Sequence, residues 1–290
     1  MKVGIIGSGI VGGSTGKALS KKHEIIYYDK FKLPQNDPSY MQRIAREAEI
    51  TFTCVPTPMK SNGQMDYSAI YDSLDYLLDE INNAGRNPRE LISVIRSTAV
   101  SGTTEMLSQK YPFKFAFNPE FLREKHAEED MNNLDRVIIG ANDMETALKI
   151  VEMYKEVFPN ADYQIFDIKT AEMIKYAANV MLASQIAIAN EIYRICRALG
   201  IEYNSVERAI LHDSRIGKNI DVPGHDGKLG FGGKCLPKDL NALIYMAREH
   251  GVIPHLLEEV WRTNLEFREE KDWLEIKGAT TANNFNRDRR

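Results

Sequence analysis

The sequence predicts an α/β chain in two parts: a doubly wound, largely parallel sheet, then a mainly α-helical domain built on one long central helix. Three observations predict it. Short apolar runs alternate with amphipathic stretches through the first 167 residues. The alternation stops there, and residues 170–199 run with little turn chemistry as one helical segment closed by Gly200. A glycine turn, Gly7-Ser8-Gly9-Ile10-Val11-Gly12, separates the first apolar run from the first helical stretch. A chain of 290 residues suits two domains. The expected division is 1–167 and 168–277, with a polar tail, 278–290, expected to be disordered.

Each element has its own reason. Residues 3–6 read as a buried strand, followed by the glycine turn and a helix to about Ser20. Strands follow at 24–28, ending at Asp29, and at 50–55, before the turn Pro56-Thr57-Pro58. Residues 67–82 carry helical periodicity, and 91–95 form a strand ending in Arg96-Ser97-Thr98. Shorter strands are expected at 114–117, 137–139 and 163–166, with a helix over 144–158. The long helix would extend about 45 Å. It is apolar on more than one side (Ile174, Ala178, Met181, Leu182, Ile186, Ile188, Ile192, Ile195), which predicts that it crosses a domain or a subunit interface. Two further helices are expected, at 204–212 and 237–250, the latter with Pro237 in its first turn and Gly251 past its end.

Composition excludes several classes. The apolar fraction of 43% and charged fraction of 27% are those of a soluble globular protein. A formal charge of −4 gives no general attraction to nucleic acid. No apolar run approaches the roughly 20 residues that span a membrane. The chain enters a strand at its start, so no signal peptide is expected. Cys54, Cys196 and Cys235 form an odd, scattered set without a CxxC pair. That argues against a disulfide framework or a metal site and fits a reducing cytoplasm.

The glycine turn has the context a dinucleotide needs: strand, turn, helix, second strand, acidic residue. Gly7 would permit the tight turn, Gly9 the approach of a pyrophosphate, and Gly12 the packing of helix on strand. Asp29 would accept hydrogen bonds from a ribose 2′-hydroxyl and repel a 2′-phosphate, so NAD is favoured over NADP, with Lys30 able to soften that choice. The second chemical signal is Phe231-Gly232-Gly233-Lys234-Cys235-Leu236-Pro237-Lys238-Asp239. It places a thiol after a Gly-Gly pair, between two lysines and at a helix start, all of which favour a nucleophilic thiolate over an inert core cysteine. Lys175 and Asn179, four apart on the long helix, share a face. An ammonium and an amide there suit a developing alkoxide.

Taken in order, the motifs resemble the UDP-glucose/GDP-mannose dehydrogenase family. They are Gly7–Gly12, Cys54-Val55-Pro56-Thr57-Pro58, Ser97-Thr98-Ala99-Val100, Asn118-Pro119-Glu120-Phe121-Leu122-Arg123-Glu124, Lys175-Tyr176-Ala177-Ala178-Asn179, Asp213-Ser214-Arg215-Ile216-Gly217 and the Cys235 segment, covering about residues 1–265. The resemblance implies a Rossmann-like domain and oxidation of a nucleotide-sugar C6 alcohol to the carboxylate with NAD, UDP-glucose to UDP-glucuronate foremost. Cys235 would form a thiohemiacetal and then a thioester. Lys175 and Asn179 would hold the sugar oxygen, and Asp239 would orient water or share proton transfer. Thr98 and Glu120 would position the hydrolytic water, with Glu120 a candidate base.

Cofactor contacts would come from Gly7, Gly9, Ile10, Val11, Gly12, Asp29, Cys54, Pro56, Thr57, Ser97, Thr98, Glu124 and Lys238. Substrate contacts would come from Phe121, Leu122, Lys175, Asn179, Phe231, Gly232 and Gly233, with Arg215 reaching the site of the neighbouring subunit in a homodimer built around the long helix. The sequence departs from the family in two places. About 25 residues follow Asn264, so the family's third, nucleotide-holding domain is expected to be absent, and the loop 218–229 lacks the family's aromatic-Leu pair. The alternatives are a dehydrogenase of the 6-phosphogluconate or β-hydroxyacid type, which needs no cysteine, and a non-catalytic subunit that binds NAD or a sugar nucleotide.

Overall fold

A computed structural model describes residues 1–214, 216–217, 221–276 and 278–281. Arg215, part of the loop 218–229 (residues 218–220) and tail residues 282–290 lie outside the described residues. The chain divides into two compact units. One is Met1–Thr57 with Tyr67–Lys175, the other Pro58–Asp66 with Tyr176–Arg290.

The first unit holds a seven-stranded sheet: β1 (Lys2–Ile6), β2 (Glu24–Tyr28), β3 (Ile50–Thr53), β4 (Ile92–Ile95), β5 (Lys114–Phe117), β6 (Arg136–Ala141) and β7 (Asp162–Phe166). The strand order is β2-β1-β3-β4-β5-β6-β7. Every pairing is parallel except β5 with β6. The helices are α1 (Ile10–Leu19), α2 (Pro38–Glu47), α3 (Ser68–Asn83), α4 (Thr103–Lys110), α5 (Ala127–Asn132), α6 (Met144–Lys155) and the start of α7 (Ile168–Ala198).

Alternation along the strands sends side chains to two cores, so Ile5 and Ile6 part company. Ile6 and Ile26 pack with Ile44 of α2, Leu74 of α3 and Leu107 of α4. Val3, Ile5 and Phe52 pack with Leu19 of α1 and Ile150 and Tyr154 of α6. The strand order reverses direction between β1 and β3, so the loops after those two strands flank the crevice where α/β sheets bind ligands.

The second unit contains the rest of α7 with α8 (Tyr203–Ile210), α9 (Cys235–Glu249) and α10 (His255–Phe267). One core gathers Val180, Ala183 and Ala187 of α7 with Leu240 and Ile244 of α9, Val260 of α10 and Phe231. A second gathers Ala189 and Cys196 with Tyr203 and Val222. Residues 58–66 fold with this unit through bridges from Met59 to Met65 and Thr280. The start of the tail is therefore held, against the expectation of disorder from Gly278. Ala279 accepts from the Met59 amide at 3.0 Å and is buried, and the Thr281 amide donates to the Met59 carbonyl.

Candidate active site

In the first unit, the glycine turn is shaped by close approach. Gly7 has φ +91° and donates its amide to the Tyr28 carbonyl. A Cβ on Gly7 would lie 2.7 Å from the Cys54 carbonyl oxygen, and one on Gly12 would collide with the Gly7 carbonyl. Around Gly9 there is nothing within 4 Å of where a Cβ would stand. Gly9 is also the N-cap of α1, without a side-chain cap, so the amides of the first turn face that opening. Ile10 is exposed at this end and Val11 half-buried. Asp29, beyond β2, accepts from the Ser8 amide at 2.8 Å, the Ser8 hydroxyl at 3.1 Å and the Phe31 amide at 3.0 Å. Lys30 is turned to Asp72 at 3.7 Å.

Sequence reasoning missed Lys32 and Gln35. Lys32 donates to the Ser8 carbonyl and Gln35 accepts from the Ser8 hydroxyl. Their loop carries no periodic signal that would have revealed them.

The remaining strand ends bring further expected residues into this unit. Cys54 is half-buried beside Gly12, and burial pushes its thiol up to about 12. Pro56 is exposed, Thr57 is buried and donates to the Thr98 carbonyl at 2.9 Å, and Ser97 donates to the Val55 carbonyl at 2.8 Å. Thr98 does not cap the following helix, whose N-cap is Gly102. Glu124 is exposed in a 3-10 turn.

Asn118 is fixed by Arg96 and by Tyr154, whose hydroxyl donates at 2.7 Å, and its amide donates to the Ile138 carbonyl. This brace sets the 118–122 turn. Lys175, only 4% exposed, donates to the Glu120 carbonyl at 2.6 Å and pairs with the Glu120 carboxylate at 2.9 Å. Its ammonium stands 5.6 Å from the Phe121 ring centre, and Leu122 donates its amide to Glu120 at 2.8 Å. Burial alone would raise the Glu120 carboxyl. The charge and hydrogen bond of Lys175, with the Leu122 amide, outweigh it and hold the carboxyl below its ordinary range.

In the second unit, Cys235 is exposed and is the first residue of α9. Asp239 lies four residues on, on the same helical face. It is fully buried rather than a first-turn acid at the surface. Asp239 accepts from the Asn179 amide at 2.5 Å and from the Lys238 ammonium at 2.5 Å. Lys238 is itself buried, 4% exposed. Phe231 is buried against Trp261, with ring centres 6.4 Å apart, and Gly232 and Gly233 follow it toward Cys235. Here too side chains were missed. Asn190, Asn264, Arg268 and Asp272 surround this loop; Asn190 and Asn264 are polar residues on otherwise buried helical stripes, while Arg268 and Asp272 lie beyond the end of α10 where no period marks them.

The sheet order, the open glycine turn and the polar cluster beside a helix-start cysteine define a dinucleotide-binding α/β protein carrying a candidate nucleophile. Two family models match it: "UDP-glucose/GDP-mannose dehydrogenase family, NAD binding domain" over residues 37–158, and the central domain of that family over residues 169–266. The chain is 33% identical over 305 residues to UDP-glucose 6-dehydrogenase YwqF of Bacillus subtilis, covering 91% of this chain and 66% of that one. It is 33% identical over 224 residues to UDP-glucose 6-dehydrogenase of Rickettsia conorii, covering 76% and 49%. A UDP-glucose dehydrogenase structure from Pyrobaculum islandicum superposes with TM-score 0.77 at 28% identity, covering 91% of this chain and 68% of that one. The chain belongs to the UDP-glucose/GDP-mannose dehydrogenase family and carries its NAD-binding and central domains. It spans about half the length of the curated relatives it matches.

Proposed function

We propose that this chain carries the NAD-dependent oxidation of a nucleotide-sugar C6 alcohol to the carboxylate, with UDP-glucose the first substrate to test. The observation that carries the reading is the face of α9 where exposed Cys235 stands four residues before buried Asp239, itself bonded to Asn179 and Lys238. The names of its relatives, UDP-glucose dehydrogenases, suggest the substrate class. The first unit fits the cofactor: an open Gly9, uncapped α1 amides and an anionic Asp29 suit a pyrophosphate and a ribose diol. When bound, NAD accepts hydride from the carbon being oxidised.

The residues then divide the work. Lys175 and Asn179 stabilise the sugar oxygen as its proton leaves and the first hydride departs. The Cys235 sulfur adds to the resulting aldehyde carbon, whose oxygen takes up a proton, giving a thiohemiacetal. A helix amino end favours negative charge on a sulfur placed there. Loss of the second hydride and of the hydroxyl proton leaves a thioester. Water adds to the thioester carbon, the C–S bond breaks, the sulfur is released as thiol or thiolate, and the product is the carboxylate. Glu120, held below its ordinary range by Lys175, is a weak proton acceptor, so its proposed task is to anchor Lys175.

The homodimer reading rests on the apolar side chains that α7 exposes, Met181, Ile188 and Ile195 among them. No helix among the described residues is long and apolar enough to cross a membrane.

The test is NADH formation from NAD with a panel of UDP- and GDP-sugars. Turnover with UDP-glucose is expected, and no NADH with any sugar would sink the proposal. Cys235→Ser should lower kcat on the order of 10³-fold or more and release no uronate. Full activity in that variant, or after alkylation of Cys235, would favour a cysteine-independent hydroxyacid-type mechanism.

A further inference from the structure

Cys235 opens α9. The N-cap of α9 is Lys234, and no side chain caps it. The segment before it is glycine-rich, with Gly230 at φ +68° and Gly233 at φ +76°. Such a stretch costs more conformational entropy to order than any other. Yet four of its backbone groups are met by side chains from distant parts of the chain. The Gly230 amide donates to Asn190 Oδ1 on α7 at 2.9 Å. The Phe231 amide donates to Asn264 Oδ1 on α10 at 2.7 Å, and the Phe231 carbonyl accepts from Asn264 Nδ2 at 2.9 Å. The Gly233 amide donates to Asp272 Oδ2 at 3.0 Å.

Behind this ring lies Arg268, one of the largest fully buried side chains. It pairs with Asp272 at 3.0 Å and with Asp226 at 2.7 Å, and donates to the Glu270 carbonyl at 3.2 Å. Asp272 therefore shares one oxygen between a buried guanidinium and the loop backbone. A Cβ on Gly232 would collide with both Arg268 and Asp272. Phe231 closes the arrangement on the apolar side, its ring tilted 40° to that of Trp261, which packs on Trp273 at 5.3 Å between ring centres.

We propose that Asn190, Asn264 and Asp272, with Arg268 setting Asp272, are positioning residues that fix the backbone of residues 230–233 and thereby the stance of the Cys235 thiol. The proposal rests on the reading of Cys235 as nucleophile. The side-chain amide of Asn264 satisfies a donor and an acceptor of one residue at once. The Asp272 carboxylate adds a charge-assisted bond two residues before the cysteine. A loop held this way keeps its geometry without relying on local propensity, which suits a nucleophile that must meet a carbonyl carbon within a fraction of an ångström.

The test uses the full chain and three readouts. Asn264→Asp keeps an acceptor for the Phe231 amide but turns a second carboxylate oxygen on its carbonyl. Asp272→Asn keeps the shape but removes the charge. Each should lower kcat by roughly tenfold or more while KM for NAD stays within about twofold. Each should also shift the pH profile of iodoacetamide alkylation at Cys235, followed by peptide mass spectrometry, which needs no sugar substrate. A folded variant with wild-type kcat and a wild-type alkylation profile overturns the proposal. Where those variants fail to fold, Asn190→Ser removes the bond to the Gly230 amide together with one inside α7, to the Ile186 carbonyl, and is read the same way. In the native chain, hydrogen exchange must find the Phe231 and Gly233 amides protected, and free exchange there also overturns the proposal. If Cys235→Ser retained turnover, the nucleophile reading would fall by itself, leaving the alkylation and exchange results to judge the clamp.

Discussion

At the residue scale, the Glu120–Lys175 pair shows how burial and charge compete. Both side chains are less than a tenth exposed, so removing one partner leaves the other uncompensated in a poorly hydrated setting. Lys175→Met is expected to lose about 3–5 kcal/mol of unfolding free energy, measured by urea denaturation. The pH dependence follows from the lowered carboxyl. Folding favours the ionised Glu120, so its contribution is present above its ordinary value of 4.5 and disappears as pH falls through the lower folded value. Acid titration of stability should therefore be shallower in Glu120→Gln than in the parent, and identical curves would refute the pairing. The sequence singled out Lys175, Asn179 and Cys235 as candidates, because spacing on a helix and a helix-start cysteine are local signals, whereas Asp239 came forward only through the family resemblance. It did not reveal that Lys175 is paired with a residue 55 positions away, nor that Arg268 is buried between two aspartates. Those are products of chain topology, and no local period encodes them.

At the element scale, α4 begins at a left-handed Gly102 and has no capping side chain of its own. Glu172 of α7 supplies the cap. It accepts from the Gly102 amide at 2.6 Å, the Thr104 amide at 2.8 Å and the Thr104 hydroxyl at 2.6 Å. Burial pushes its carboxyl up to about 7 despite those donors. A folded value above the ordinary 4.5 means the folded state holds more protons than the unfolded one between the two values. Stability should then fall as pH rises through that window. Glu172→Gln should remove this slope, and Glu172→Ala should cost about 1–2 kcal/mol for the lost cap, both read from thermal melts at several pH values. The strands were legible to within a few residues, because buried parallel strands are short, apolar and β-branched. Helices α4, α5 and α10 were not foreseen. The first two are short and mostly polar, eight and six residues, which gives periodicity little to work on. In α10 the buried stripe of Val260 and Phe267 is interrupted by buried Asn264, and an amide on a core face hides the very pattern that marks a helix.

At the scale of the whole molecule, the apolar side chains left exposed on α7 carry the dimer proposal. Met181 is 63% and Ile188 59% exposed, unusual for large apolar residues on one helix. Light scattering should report a dimer for the parent chain and a monomer for Ile188→Glu, and a monomeric parent would remove the proposal. The reading of two domains placed their boundary at 167/168, where strand–helix alternation ends. The compact units instead meet in sequence between Lys175 and Tyr176, inside α7, and the second also takes residues 58–66. Periodicity reports where elements end and is silent about which core each turn of a continuous helix joins.

That continuity places a constraint on length. Lys175 and Asn179 are one turn apart on an unbroken helix of 31 residues. Between them, Ala177 is exposed whereas Tyr176 is buried, so substitutions are tolerated at the first position more readily than at the second. An inserted or deleted residue between them would turn Asn179 by about 100° about the helix axis and carry it out of phase with Lys175. Natural variation in this stretch of α7 should therefore be rich in exchanges and empty of gaps, as in a ruler whose markings can be repainted but not respaced.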